Sequence, residues 1–435
     1  MAPTRSLRPR STAADKLHRG KRQTSSGKRA DTLNRQAAAP TARNKWVDER
    51  IADGSFGEPG AGLEAVAAGG FHTLVIDEAG KVWSCGVNDN ASLGRPSDGL
   101  PSEYTELLAP LQLLVEAGFR ATRIVAGDTI SAAVDSQGEF RAWGTFRSSE
   151  GRCAFSPHVE RQHVPALVER LENTMVSQVA AGNQHLVVLT AAGDVYTMGF
   201  GEDGQLARRI IAGRELQGTV PEKIVLGRRS RKAVVVGSGE NHSFAVDTEG
   251  TVWGWGINSN GRTGTGIDAE VVPSPQRVAG LSKDELDGAT VTSITGGQQH
   301  TLFLTSDGRV YACGLSEEGR LGLPPHHPAL MDPNRRSTHF LDTPTQVTFP
   351  YNARIRYIAC GTHCSFAIDT ESAMYSWGRQ VTGELGLGSE LALAETDRDV
   401  LTPREVVRRA GSWITEAVSC GGQHAVALLR RKDNQ

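Results

Sequence analysis

A glycine recurs seven times along this 435-residue chain, at Gly69, Gly127, Gly182, Gly239, Gly297, Gly361 and Gly421, with separations of 55 to 64 residues. Six of these are followed 17 residues later by a second glycine (Gly86, Gly144, Gly199, Gly256, Gly314, Gly378). Five have a third at a spacing of 11 (Gly80, Gly138, Gly193, Gly250, Gly308). A register kept through six copies marks a repeat architecture, in which each copy is one small unit that buries its apolar face only against its neighbours.

One unit can be read residue by residue. Three places after the first glycine stands a histidine in five of the seven copies (His72, His185, His242, His300 and His424), with Ile130 and Cys364 in the other two. From there the chain reads HTLVI, HLVVL, HSFAV or HTLFL, short apolar β-rich runs that predict buried strands. Turns such as DEAG, DSQG, DTEG and TSDG follow, then return strands such as VWSCG, FRAWG, VYTMG and VWGWG. Each unit is thus a hairpin plus about 30 less regular residues with room for more strands. Glycine, at 49 copies, exceeds the usual ~7% and supplies the turns. Units of this length with no helical period predict an all-β propeller; a β-solenoid has shorter repeats.

No 18-residue apolar run and no secretory leader is present, so a membrane partner is not expected. Four of the six cysteines occupy repeat positions, where they read as small core residues, and none forms a CxxC pair. No phosphate loop, HExxH or GxSxG motif occurs. Neither a metal, a cofactor nor a chemical step is therefore expected. Charge is uneven: residues 1–35 carry ten Lys/Arg against Asp15 and Asp31, a net +8, which leaves −10 on the other 400 residues. A basic arm on an acidic body points to two kinds of partner. The expected organisation is a disordered arm over 1–40, a propeller over 41–430 and a short tail over 431–435.

The G-x-x-H…G…W-G…L-G pattern over roughly residues 65–430 resembles the regulator of chromosome condensation family. Within it, AGDTISAAVDSQGEFRAWGTFRSSEG (126–151), VAAGNQHLVVLTAAGDVYTMGFGEDGQL (179–206) and GGQQHTLFLTSDGRVYACGLSEEGRLGL (296–323) are similar to the nuclear branch of that family. The resemblance implies a seven-bladed propeller that promotes GDP release and GTP loading on the small GTPase Ran while bound to chromatin. It implies exchange roles for Asp128 and His300, and GTPase contacts at His72, Gln184, Arg208 and His424, with Gln184 standing where the family has an acid. The stretch TFRSSEGRCAFSP (145–157), where copy two lacks the usual L-G, resembles the family's β-wedge; its expected contacts are Phe146, Arg147, Ser148, Ser149, Glu150 and Gly151. The competing reading of this stretch is a plain surface loop, and that of Asp128 a turn cap. His185 and His242, at a position that holds histidine in five of the seven copies, read as structural.

The arm reads as an importin-recognised signal and a DNA-phosphate contact through Arg19, Lys21, Arg22, Lys28 and Arg29. A mitochondrial leader is the alternative, opposed by Pro3, Pro9 and Asp15. The RRSRK run (Arg228, Arg229, Arg231, Lys232), with Arg209 and Arg214, is a second basic group expected to grip a nucleosome at DNA phosphate or the histone acidic patch. Two other functional classes remain open: an RCC-type scaffold without exchange activity, and a photoreceptor using clustered tryptophans. Absence of large accessory domains argues against a ligase, and absence of a G-W-R-H-T cluster against a photoreceptor.

Overall fold

The computed structural model describes Ala52 and residues 62 to 431, apart from 97–102, 212, 229–230, 335, 381–382, 389–398, 408–412 and 423. Among these residues the repeat folds as six consecutive four-stranded antiparallel sheets. The first comprises Leu63–Ala68, His72–Asp77, Val82–Gly86 and Ala109–Pro110. The other five follow the same plan: an inner strand, the strand that begins three places after the first glycine, the strand ending at or just past the second glycine, and an outer strand from the irregular stretch.

Strand pairing explains the 17-residue register. His72 pairs with Gly86, Ile130 with Gly144, His185 with Gly199, His242 with Gly256, His300 with Gly314 and Cys364 with Gly378. The second glycine thus always faces the histidine position across the hairpin. It has to be glycine: Gly199 has φ +130°, and a Cβ there would stand 2.3 Å from the carbonyl oxygen of Gln184.

The inner strands, among them Leu63–Ala68, Ala121–Ala126 and Val176–Ala181, line a central cavity of about 490 Å³. Side chains between adjacent sheets form the core, with Trp83, Trp143, Trp255 and Trp377 fully buried. The expectation of seven blades is corrected: the described residues form six four-stranded ones. The copy that starts at Gly421 adds no seventh four-stranded sheet among the described residues. It contributes a two-stranded sheet, Trp413–Cys420 with Ala425–Arg431. That sheet docks against the first: Gly422 N–H donates to the Gly69 carbonyl (3.2 Å) and Ala68 N–H to Ser419 Oγ (2.9 Å). No helix among the described residues is long and apolar enough to cross a membrane.

Candidate functional site

The repeated histidine is a bolt between neighbouring sheets. His185 Nε2 lies 2.7 Å from Ser243 Oγ, whose hydroxyl donates to the Gln205 carbonyl, which also accepts from Trp255 Nε1. The same triad recurs from His72 to Ser131, Ser92 and Trp143, and from His300 to Ser365, Arg320 and Trp377. His242 uses Thr301 and the Arg262 carbonyl, with Cys313 in place of the tryptophan. His424 reaches Thr73 Oγ1 across the closure of the ring. Because the hydroxyls of Ser131, Ser243, Thr301 and Ser365 spend their protons on carbonyls, His72, His185, His242 and His300 must donate through Nε2–H. The rings are held neutral by burial, which brings His72, His185 and His300 down to about 3. The first glycine makes room for the ring, since a Cβ on Gly182 would lie 2.1 Å from His185 Cε1.

Two of the seven junctions lack the bolt, and there both partners are apolar: Ile130 faces Leu186, and Cys364 is followed one blade on by Ala425. At the first of these the tryptophan position is Met198 as well. The reason lies in the second blade, whose carbonyl-bearing loop is replaced by residues 145–157. Ile130, Leu186, Met198, Phe146 and Phe155 instead share one apolar cluster.

This replaced loop is a hairpin rather than a plain loop. Phe146–Arg147 pairs with Cys153–Ala154, and the tip closes through Ser148 N to Arg152 O (2.9 Å) and Gly151 N to Ser148 O (2.9 Å). Phe146 is fully buried at its base, which departs from the expected surface contact. Arg147, Ser149, Glu150 and Gly151 are exposed and Ser148 half-buried. The third blade holds the hairpin at two points: Arg147 N–H donates to Gln184 Oε1 and Ser149 N–H to Glu202 Oε2 (2.9 Å).

Beside the hairpin runs a ring of residues that follow the first glycines. Backbone bonds link its members from the first copy to the sixth: Gly70 N bonds Gly127 O, Asp128 N bonds Asn183 O, Asn183 N bonds Glu240 O, Glu240 N bonds Gly297 O, and Gln298 N bonds Thr362 O. Asp128 is half-buried and accepts from Gln184 Nε2 at 3.0 Å, so its carboxylate is spent on the neighbouring blade rather than on capping its own turn. Burial pushes its carboxyl up, opposed by the charge of Arg147 and the bond from Gln184. Glu240 is pushed up by burial too, against hydrogen bonds from Thr362 and Asn183. A pocket of about 70 Å³ between Phe71, Val87, Asp128 and Arg147 separates the hairpin from the first blade, and Phe71 is 55% exposed there.

Several residues singled out in the sequence lie elsewhere than expected. His300 and His72 have 0% and 1% exposure and belong to the interblade triads, so neither reaches the surface. The residue of the fifth copy that shares the position of Gln184 is Gln299, which is half-buried. His424 is half-buried against Thr73. Arg208 turns inward: its guanidinium donates to the Gly218 (2.9 Å) and Val220 (2.8 Å) carbonyls and pairs with Glu222 (3.1 Å). Of the second basic group, Arg209, Arg214 and Arg228 are exposed, whereas Arg231 pairs with Asp247 and Glu249, and Lys232 with Asp194. Arg229 and the arm residues Arg19, Lys21, Arg22, Lys28 and Arg29 lie outside the described residues. Asn183 and Glu240 stand where the positions after the first glycine lead one to expect a polar ring, whereas nothing in the sequence singles out Glu202, whose role depends on a contact between blades. Among the described residues no cluster of His, Cys, Asp or Glu is suited to holding a metal.

With this geometry in hand, similarity to known proteins is informative. A family profile described as RCC1-like domain matches residues 27–427. The Regulator of chromosome condensation of Homo sapiens is 31% identical over 380 residues, covering 84% of this chain and 82% of that one. Guanine nucleotide exchange factor SRM1 of Saccharomyces cerevisiae is 29% identical over 417 residues, covering 89% and 83%. The crystal structure of Prp20p from Saccharomyces cerevisiae, studied together with its binding to Gsp1p and histones, superposes with a TM-score of 0.75 at 29% identity, covering 86% of this chain and 83% of that one.

Proposed function

Since the chain belongs to the RCC1-like domain family, we propose that it is a guanine-nucleotide exchange factor for a Ran-like small GTPase, acting on chromatin in the nucleus. The observation that carries the reading is the hairpin at 146–154. It stands at a junction between blades where the interblade triad is wholly replaced by apolar residues, and its exposed tip lies beside Asp128. We read it as the wedge, with Arg147, Ser149, Glu150 and Gly151 meeting the GTPase and Phe146 as its buried root.

No bond is made or broken in this scheme. A propeller that binds the nucleotide-free GTPase more tightly than the loaded form weakens nucleotide binding by the same factor. The wedge supplies the differential contact by pressing on the site that holds the nucleotide phosphates. Asp128 and the acidic body favour encounter with basic groups of the GTPase. His300 and Arg208 serve this function indirectly, by fixing the loops that shape the face.

The arm and the exposed Arg209, Arg214 and Arg228 are the proposed contacts to the nucleosome, and the arm is also the importin signal. Prp20p was studied with histones and with Gsp1p, which supports this pair of partners. The deciding experiment is release of mant-GDP from purified Ran with and without this protein. Unaccelerated release would refute the exchange reading and leave the scaffold alternative.

A further inference from the structure

Gln184 makes a pair of bonds that an amide can make and an ionised acid cannot. Its Nε2 donates to Asp128 Oδ2 (3.0 Å) and its Oε1 accepts from the backbone N–H of Arg147 (2.5 Å). One partner is an acceptor and the other a donor, so the orientation of the amide is fixed by what it touches. The main chain of Gln184 is itself anchored, its carbonyl accepting from Phe200 N at 3.0 Å. The side chain therefore joins three blade elements: the ring carboxylate of blade two, the root of the hairpin and the rigid start of a blade-three strand.

We propose that Gln184 is the positioning residue of this exchange surface, coupling the direction of the hairpin to the place of the Asp128 carboxylate. The proposal rests on the exchange reading above. Without the amide, Asp128 loses its donor and the root of the hairpin loses its backbone anchor at Arg147, while the Ser149–Glu202 bond, the Arg152–Glu215 pair and the packing of Phe146 remain. A carboxylate in the same place would face Asp128 at hydrogen-bond distance. Two carboxylates so close cannot both ionise comfortably, and the pair would retain a shared proton to higher pH than either alone. With that proton present the bridge re-forms; without it, Asp128 is driven away. Gln184→Glu should therefore convert a pH-insensitive latch into a titrating one.

Three measurements on the full-length protein test this. Gln184→Ala should lower the maximal rate of mant-GDP release from Ran on the order of tenfold, the size of one hydrogen bond to a charged group. Its apparent KM and melting temperature should change little. Hydrogen exchange should speed up at the Arg147 amide in the same variant. Gln184→Glu should release nucleotide at close to the wild-type rate near pH 6 and fall behind as the pH rises to about 8. A wild-type rate in Gln184→Ala, an unaltered Arg147 amide, or a pH-independent ratio of Gln184→Glu to wild type would each overturn the proposal. The amide measurement stands without any GTPase, so a wild-type protein inactive on Ran would refute the exchange reading while still deciding whether the latch exists.

Discussion

His185 Nε2 and Ser243 Oγ, 58 residues apart in sequence, lie 2.7 Å apart across the gap between the third and fourth sheets. Neither ring nor hydroxyl has any exposed surface. Removing the ring leaves Ser243 without its donor and opens a cavity between two sheets. His185→Ala should cost about 1–3 kcal/mol of stability, read from denaturant midpoints. Exchange per folded molecule should be unchanged. Loss of exchange at unaltered stability would contradict this role.

His300 makes the same bond at 2.9 Å to Ser365. His300→Ala should therefore behave like His185→Ala, whereas Asp128→Ala should leave the melting temperature nearly unchanged and slow release at saturating GTPase. Exposed or half-exposed polar substitutions of this kind usually cost about 0.5 kcal/mol or less. A His300→Ala protein of full stability and slow exchange would return that histidine to the GTPase surface.

Burial holds His72, His185 and His300 near a pKa of about 3 in the folded chain, and His242 well below its ordinary value. In the unfolded chain each titrates near 6.5, so the unfolded state takes up protons first as pH falls. Their contribution is fully present above pH ~6.5 and is lost progressively toward pH ~3. Between pH 7.5 and 5.5 each should remove roughly 1 kcal/mol. Chemical denaturation across that range should show the loss, and His185→Ala should show one proton less of it. A pH-flat unfolding curve would contradict neutral burial.

In the copies that carry the histidine, the first glycine makes room for its ring. A methyl group at Gly182 would collide with His185 and with the Gly239 carbonyl, 2.7 Å from the ideal Cβ position. Gly182→Ala should cost about 3 kcal/mol or more, as overpacking against backbone does. A thermal melt within a degree or two of wild type would show that the sheets shift freely, contrary to the bolted junction.

Charge gives a test of the arm. Deleting residues 1–35 removes +8 and leaves a body at −10. If four to six arm cations meet phosphates, log K against log salt for nucleosome binding should have a slope of about −4 to −5 in the full chain. The truncated protein should lose most of that slope and its nuclear import, while mant-GDP release from free Ran persists. An unchanged slope would move chromatin binding to Arg209, Arg214 and Arg228. Delivery of the full chain to mitochondria with cleavage of the arm would refute the nuclear reading.

The sequence by itself determined the strands, the hairpins and the register, because hydrogen bonding within a hairpin fixes a spacing along the chain: a histidine three places after one glycine must face another 14 places on. It also carried an unread signal. Histidine in one copy goes with serine or threonine one place later in the next (His72 with Ser131, His242 with Thr301), and Ile130 goes with Leu186. That pairing marks the two junctions without the bolt, at Ile130 and at Cys364, without any structure. Tertiary structure alone decided which way the side chains turned. His300 and His72 are sealed between sheets, Arg208 folds onto carbonyls, and Gln184 spans from Asp128 to the hairpin. These contacts join residues some 10 to 65 positions apart, mostly across or between sheets. Their geometry is set by how one twisted sheet stacks on the next and how each loop folds back, which no spacing within a single repeat encodes.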